Sequence, residues 1–185
     1  MPGPRSKTRP EIDHSSASSV GPIVSSAHLA GGSSPGLSEI EYGLILSWHA
    51  FSRWMVRCMS SAGLAGLSPV EVMILHSIRH RDRPKKLSDI CLALGIEDTH
   101  VVNYAVRKLE AAGLVSTGRI GKEKSVIISP TGADACARYA EIREKLFVTS
   151  TKRALSDEDS LSDIAAVLRF LSGAYEQAAR AATTL

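Results

Sequence analysis

Apolar side chains recur every three or four residues from Leu37. Leu37, Ile40, Leu44, Trp48, Phe51, Met55, Cys58 and Ala62 form one stripe, which predicts a helix. Ile45, Leu46, Trp54 and Val56 fall off that stripe, so this helix needs cover on several sides. Residues 63–66 carry two glycines and end it. Ser68-Pro69-Val70-Glu71 is a capping box with proline at the first helical position, so a second helix runs from there to about His80. Arg79-His80-Arg81-Asp82-Arg83-Pro84-Lys85-Lys86 follows as a basic connector broken by proline. Ser88 is expected to cap a short third helix carrying Ile90, Cys91 and Leu94, which Gly95 ends. A fourth helix has Asp98 or Thr99 as N-cap, turns Val102, Ala105, Val106 and Leu109 inward, and stops at Gly113. Residues 114–120 and 124–129 are short β-prone runs joined through Gly121, which predicts a β-hairpin. Pro130-Thr131 opens a fifth helix, to about Thr149. Asp157-Glu158-Asp159 opens the last, with acids at the favourable end of its dipole. There Leu161, Ile164, Leu168, Leu171, Tyr175, Ala178 and Ala182 alternate spacings of three and four, the a/d seam of a coiled helix pair.

Composition separates residues 1–36 from the rest. Nine Ser, five Pro and five Gly fill that stretch, too little apolar surface to offset its ordering entropy. It is expected to be a largely disordered tail. The formal net charge is only +3, but its distribution is uneven. Residues 69–130 hold ten Lys/Arg against seven Asp/Glu, and residues 131–185 hold seven against eight. The excess coincides with the short helices and the hairpin, a local bias that suits a polyanionic partner. No stretch approaches the ~18 apolar residues of a membrane span, so no membrane partner is expected. The N-terminus runs into polar residues without an apolar signal core. Three scattered cysteines make no disulfide framework. A cytoplasmic location follows as the expectation.

The order of elements from 69 to 129 carries the functional reading. Two helices meeting at a glycine turn form a helix-turn-helix, and the hairpin that follows is a wing. The second helix is narrow enough for the major groove, with the first bracing it. With Val102, Ala105, Val106 and Leu109 inward, His100, Asn103, Tyr104 and Arg107 share an outward stripe. Asn suits the adenine edge and Arg the guanine edge, so these four are the expected base readers. Arg79, Arg81, Arg83, Lys85 and Lys86 of the connector, with Arg119, Lys122 and Lys124 of the wing, are the expected phosphate contacts. No G-x-S-x-G, P-loop or H-E-x-x-H occurs, so no enzyme activity, metal or cofactor is expected. His76 and His80 stand at metal-ligand spacing without a third partner.

Residues 37–185 resemble the MarR family of winged-helix transcriptional regulators. The resemblance rests on Leu67-Ser68-Pro69-Val70-Glu71, Leu87-Ser88-Asp89-Ile90, Leu109-Glu110-Ala111-Ala112-Gly113-Leu114-Val115 and Ile128-Ser129-Pro130-Thr131, in that order and spacing. Two departures stand out. The segment Gly95 to Gly113 is one residue longer than the usual pattern, and the wing lacks the usual Asp-x-Arg, leaving Lys124 as the stand-in for the wing arginine. The resemblance implies a mainly α fold: a winged helix-turn-helix (69–130) flanked by dimerisation helices (37–66 and 131–185). It implies a homodimer acting on double-stranded DNA at a pseudo-palindromic operator, in some relatives under a small-molecule effector. The over-apolar first helix and the C-terminal seam need a partner surface of their own, and Leu37, Ile40, Leu44, Trp48, Leu161, Ile164, Leu168, Leu171 and Tyr175 are the expected dimer contacts. The alternative is a winged-helix adaptor that binds protein and not DNA.

Overall fold

The computed structural model describes residues 21–152 and 157–185. The chain divides into two compact units, residues 1–50 and 51–185. In the first unit, a single helical turn, α1 (Ala27–Ala30), precedes the long helix α2 (Pro35–Ser61), which continues into the second unit. Helix α2 opens two residues before the expected Leu37. The chain before it is tied down there: the Ile23 amide donates to the Glu39 carboxylate (2.8 Å) and the Ser38 hydroxyl donates to the Leu29 carbonyl (3.1 Å). The part of the expected tail before residue 21 lies outside the described residues.

In the second unit the predicted elements appear in order, with one short strand added. They are α3 (Pro69–Arg79), β1 (Lys85–Lys86), α4 (Leu87–Leu94), α5 (Thr99–Ala111), β2 (Val115–Ile120), β3 (Glu123–Ile128), α6 (Pro130–Arg143), α7 (Thr149–Thr151) and α8 (Glu158–Ala182). The capping box forms as its sequence requires. The Glu71 amide donates to the Ser68 hydroxyl (3.3 Å), and the Ser68 amide donates to the Glu71 carboxylate (2.8 Å). Asp98, not Thr99, caps α5, accepting from the His100 amide (2.8 Å). Asp157 caps α8. The expected fifth helix is α6 continued by a π-helical turn (Glu144–Val148) into α7.

Two expectations are corrected. The sheet is not a lone hairpin but three antiparallel strands in the order β1-β3-β2, with Lys85 opposite Val126 and Lys86 opposite Ser125. Ser88 does not cap α4; the helix begins at Leu87 directly out of β1, with Lys86 at the N-cap and no side-chain cap bond. Pairing with β3 fixes the backbone there and leaves no room for a separate capping turn.

One apolar core holds this unit together. Met55, Cys58 and Met59 of α2 meet Val72, Ile74, Leu75 and Ile78 of α3, Ile90 of α4, and Val102, Ala105, Val106 and Leu109 of α5. Fully burying a side chain of this size contributes roughly 1.5–3 kcal/mol, so the inward face of α5 alone anchors the helix firmly. Cys91 and Cys136 complete the burial of all three cysteines. Burial pushes the Cys58 thiol up and the Cys136 thiol up to about 11, which favours the protonated thiol in both, and Cys58 Sγ donates to the Tyr139 carbonyl (3.6 Å). The start of α6 passes the segment between α5 and β2 so closely that a Cβ on Gly132 would lie 2.1 Å from the Leu114 carbonyl oxygen. Among the described residues no helix is long and apolar enough to cross a membrane.

Candidate nucleic-acid interface

Helix α5 is oriented by its inward face and by Gly95, the left-handed residue (φ 62°) that ends α4 before it. Its four predicted inward residues are all buried. Helical spacing then divides the remaining positions into three rows. His100, Tyr104 and Arg107 stand opposite the core, and all three are exposed, Tyr104 by 70%. Asn103 and Glu110 lie on the flank toward the wing. Val101 and Lys108 lie on the other flank. The predicted base-reading stripe is therefore split: His100, Tyr104 and Arg107 project outward together, while Asn103 is half-buried beside the wing.

Both flanks are fastened. On the wing side, the Thr117 amide and hydroxyl both donate to one Glu110 carboxylate oxygen (2.8 and 2.6 Å). These bonds hold the Glu110 carboxyl below its usual range. Further along the helix, the Lys124 ammonium donates to Asn103 Oδ1 (3.1 Å). On the opposite flank, Lys108 donates to the Gly66 carbonyl (3.0 Å) and to Glu71 Oε2 (2.9 Å). The Glu71 carboxylate is buried within its capping box, and Lys108 supplies the charge such a group needs. Glu110, Thr117 and Lys108 were not singled out from the sequence. The only signal was an acid three residues before the Gly113 turn, which says nothing of its partner.

The wing closes on Gly121 (φ 62°), the first central residue of a two-residue turn, a position that favours glycine. Thr117, Gly118, Arg119, Lys122 and Lys124 line a depression of about 410 Å³ on it. Arg119 and Lys122 are exposed there.

The connector cations differ in what they can offer. Arg81 and Arg83 are exposed, and Arg81 sits in the left-handed region (φ 64°). Arg79 pairs with Asp82 and Lys86 with Glu123. Lys85 turns inward: its ammonium donates to the carbonyls of Ile78 (2.9 Å) and His80 at the end of α3. Desolvation, reinforced by Arg83, lowers its pKa. Its place is that of a helix cap.

The expected dimer contacts are exposed or half-buried in the chain, and none is part of the core. Leu37, Ile40 and Trp48 on α2, and Ile164, Leu168 and Tyr175 on α8, are exposed; Leu44, Leu161 and Leu171 are half-buried. No residue of α8 is buried. His76, on α3, packs edge-on against the Tyr139 ring (4.5 Å between centroids), and its Nε2 is buried without a hydrogen-bond partner. Among the described residues no group of three or more His, Cys, Asp or Glu is placed to hold a metal.

A helix-turn-helix followed by a β-wing fastened to its second helix defines a winged helix-turn-helix protein. Residues 67–133 match the winged helix DNA-binding domain family. The whole arrangement has the fold of MarR-family transcription regulators, as the sequence resemblance implies. One such regulator is 11% identical with a TM-score of 0.59, over 80% of this chain and 99% of its own. The transcriptional repressor CouR, bound to a 23-mer DNA duplex, is 17% identical with a TM-score of 0.60, over 75% of this chain and 96% of its own. The oxidised form of MarR from Escherichia coli is 13% identical with a TM-score of 0.54, over 69% and 90%. No curated protein matches the chain.

Proposed function

We propose that this protein is a cytoplasmic transcriptional regulator that binds double-stranded DNA with sequence preference, as a homodimer on a pseudo-palindromic operator. One observation carries the reading. His100, Tyr104 and Arg107 form an exposed row on a helix whose opposite face is locked in the core, beside a wing bearing Arg119 and Lys122. Such a helix fits a major groove, and a neighbouring cationic hairpin meets the backbone or the minor groove. The duplex held by CouR supports the same use of this fold.

The roles divide by chemistry. Arg107 donates to the O6/N7 edge of guanine, and Tyr104 and His100 offer a hydroxyl, an imidazole and apolar contact. Asn103 reads from the wing flank. Arg81, Arg83, Arg119 and Lys122 supply phosphate contacts and hence the salt dependence. Arg79 and Lys86 reach phosphate only by leaving Asp82 and Glu123.

Selection of bound duplexes from a random pool at two salt concentrations tests the reading. Recovery of an inverted repeat, with binding that weakens steeply as salt rises, is the expected result. Arg107→Ala should cost ~1–3 kcal/mol at that site and relax the preference there. Binding to no duplex at either salt would sink the reading in favour of the protein-binding adaptor.

A further inference from the structure

We propose that Lys124 sets the base preference of Asn103, turning it from an adenine reader into a donor pair that selects guanine. This rests on the DNA-binding reading above and adds a determinant of specificity to it. The starting point is the 3.1 Å contact between the Lys124 ammonium and Asn103 Oδ1. An ammonium has three donors and no acceptor, so it can meet only the oxygen of the amide. The contact therefore fixes which way the amide faces, with Oδ1 toward the wing and Nδ2 away from it.

That orientation decides what Asn103 can recognise. An asparagine reads adenine bidentately: its oxygen accepts from the N6 amine while its nitrogen donates to N7. Here the oxygen already accepts from a cation. An adenine amine aimed at its second lone pair would bring a donor beside a positive charge. What the pair leaves available is the Nδ2 amine and the remaining hydrogens of Lys124, and all of these are donors. Guanine is the base whose major-groove edge presents two acceptors, O6 and N7.

The fold holds the pair in place. Lys124 lies on β3 opposite Arg119 of β2, and β2 is fastened to the same helix by the two Thr117–Glu110 bonds. Asn103 and Lys124 are both half-buried, unlike Arg119 and Lys122 at the open end of the wing. A lysine serving only as a phosphate contact has no need of an amide partner.

The test compares preference and not affinity alone. Duplexes are selected from a random pool by the full chain, by Asn103→Ala, by Lys124→Met and by Lys124→Arg. The position whose preference Asn103→Ala flattens is the one Asn103 reads. Guanine is expected there for the wild type. Lys124→Met keeps the apolar stem but frees Oδ1, and should move the guanine-to-adenine ratio toward adenine by on the order of fivefold or more. Lys124→Arg keeps a cationic donor and should retain guanine. Three results overturn the proposal while leaving the regulator reading standing. These are adenine at that position in the wild type, no position flattened by Asn103→Ala, or a Lys124→Met protein that binds every sequence more weakly with its preference unchanged. A wild type that selects no duplex overturns both.

Discussion

Gly132 shows how a single backbone contact fixes the frame behind the interface. A Cβ there would meet the Leu114 carbonyl oxygen at 2.1 Å, and Leu114 follows directly on the turn that ends α5. Both sides of the contact are main chain, so neither can swing away as a side chain would. Gly132→Ala should destabilise the protein by about 1–3 kcal/mol or more, read from a shift in the urea midpoint at unchanged slope. His76 poses the opposite problem, a titratable ring with no acceptor for a second proton. Desolvation lowers its pKa below the usual value of about 6.5. In the window between the lowered and the usual value the unfolded chain binds the extra proton and the folded chain does not. Stability should therefore decline as pH falls below about 6.5 and level off below the folded-state pKa. Urea unfolding at pH 7.5, 6.5 and 5.5 checks the slope, and His76→Phe should flatten it. Neither constraint was legible in the sequence. Gly132 looked like any residue in the first turn of a helix, and His76 stood out only for its spacing from His80.

The elements were legible wherever their signals are local. Ser68 with Glu71, Asp157 with its first-turn acids, and Gly121 between two β-prone runs each act within a few residues, and each structure formed where expected. β1 escaped notice because two adjacent lysines carry no alternation; its strand character comes from pairing with Val126 and Ser125, some forty residues away. The inward turn of Lys85, toward carbonyls only five and seven residues back, has no residue pattern to mark it, and the wing contact of Asn103 spans 21 residues. Helical spacing already turns Asn103 about 100° away from Tyr104, but only the position of the wing shows what covers that flank. That flank depends on Glu110, which accepts both Thr117 donors and so fastens β2 to α5. Glu110→Ala should leave the helices folded yet free the wing. The expected signs are faster amide exchange at Thr117 and a several-fold loss of DNA affinity, with the circular dichroism spectrum unchanged. Unaltered exchange at Thr117 would show that strand pairing alone holds the wing.

At the scale of the whole molecule the unanswered demand is α8. A 25-residue helix with no buried residue has little reason to be stable in water by itself, since most helical stability comes from packing an apolar face. Ile164, Val167, Leu168 and Phe170 are all at least 43% exposed. Covering the open half of each would contribute roughly 1 kcal/mol per side chain, hence about 8 kcal/mol from two copies of the helix. Association itself costs an estimated ~4–15 kcal/mol. Val167 and Phe170 lie off the seam, so α8 as a whole is at best close to balance, and a stable homodimer needs the exposed apolar residues of α2, among them Leu37, Ile40 and Trp48, as well. Placing one charge on a seam so near balance should tip it. Leu168→Glu puts a carboxylate in each copy where the seam predicts apolar contact, and like charges meeting across a two-fold axis repel. Sedimentation equilibrium should show a dimer for the wild type and a monomer for Leu168→Glu, with α5 and its core intact by circular dichroism. Half-site binding by that monomer should be weak and the inverted repeat no longer preferred over a single half-site. A Leu168→Glu protein that stays dimeric and keeps that preference would place the two-fold contact elsewhere than on α8.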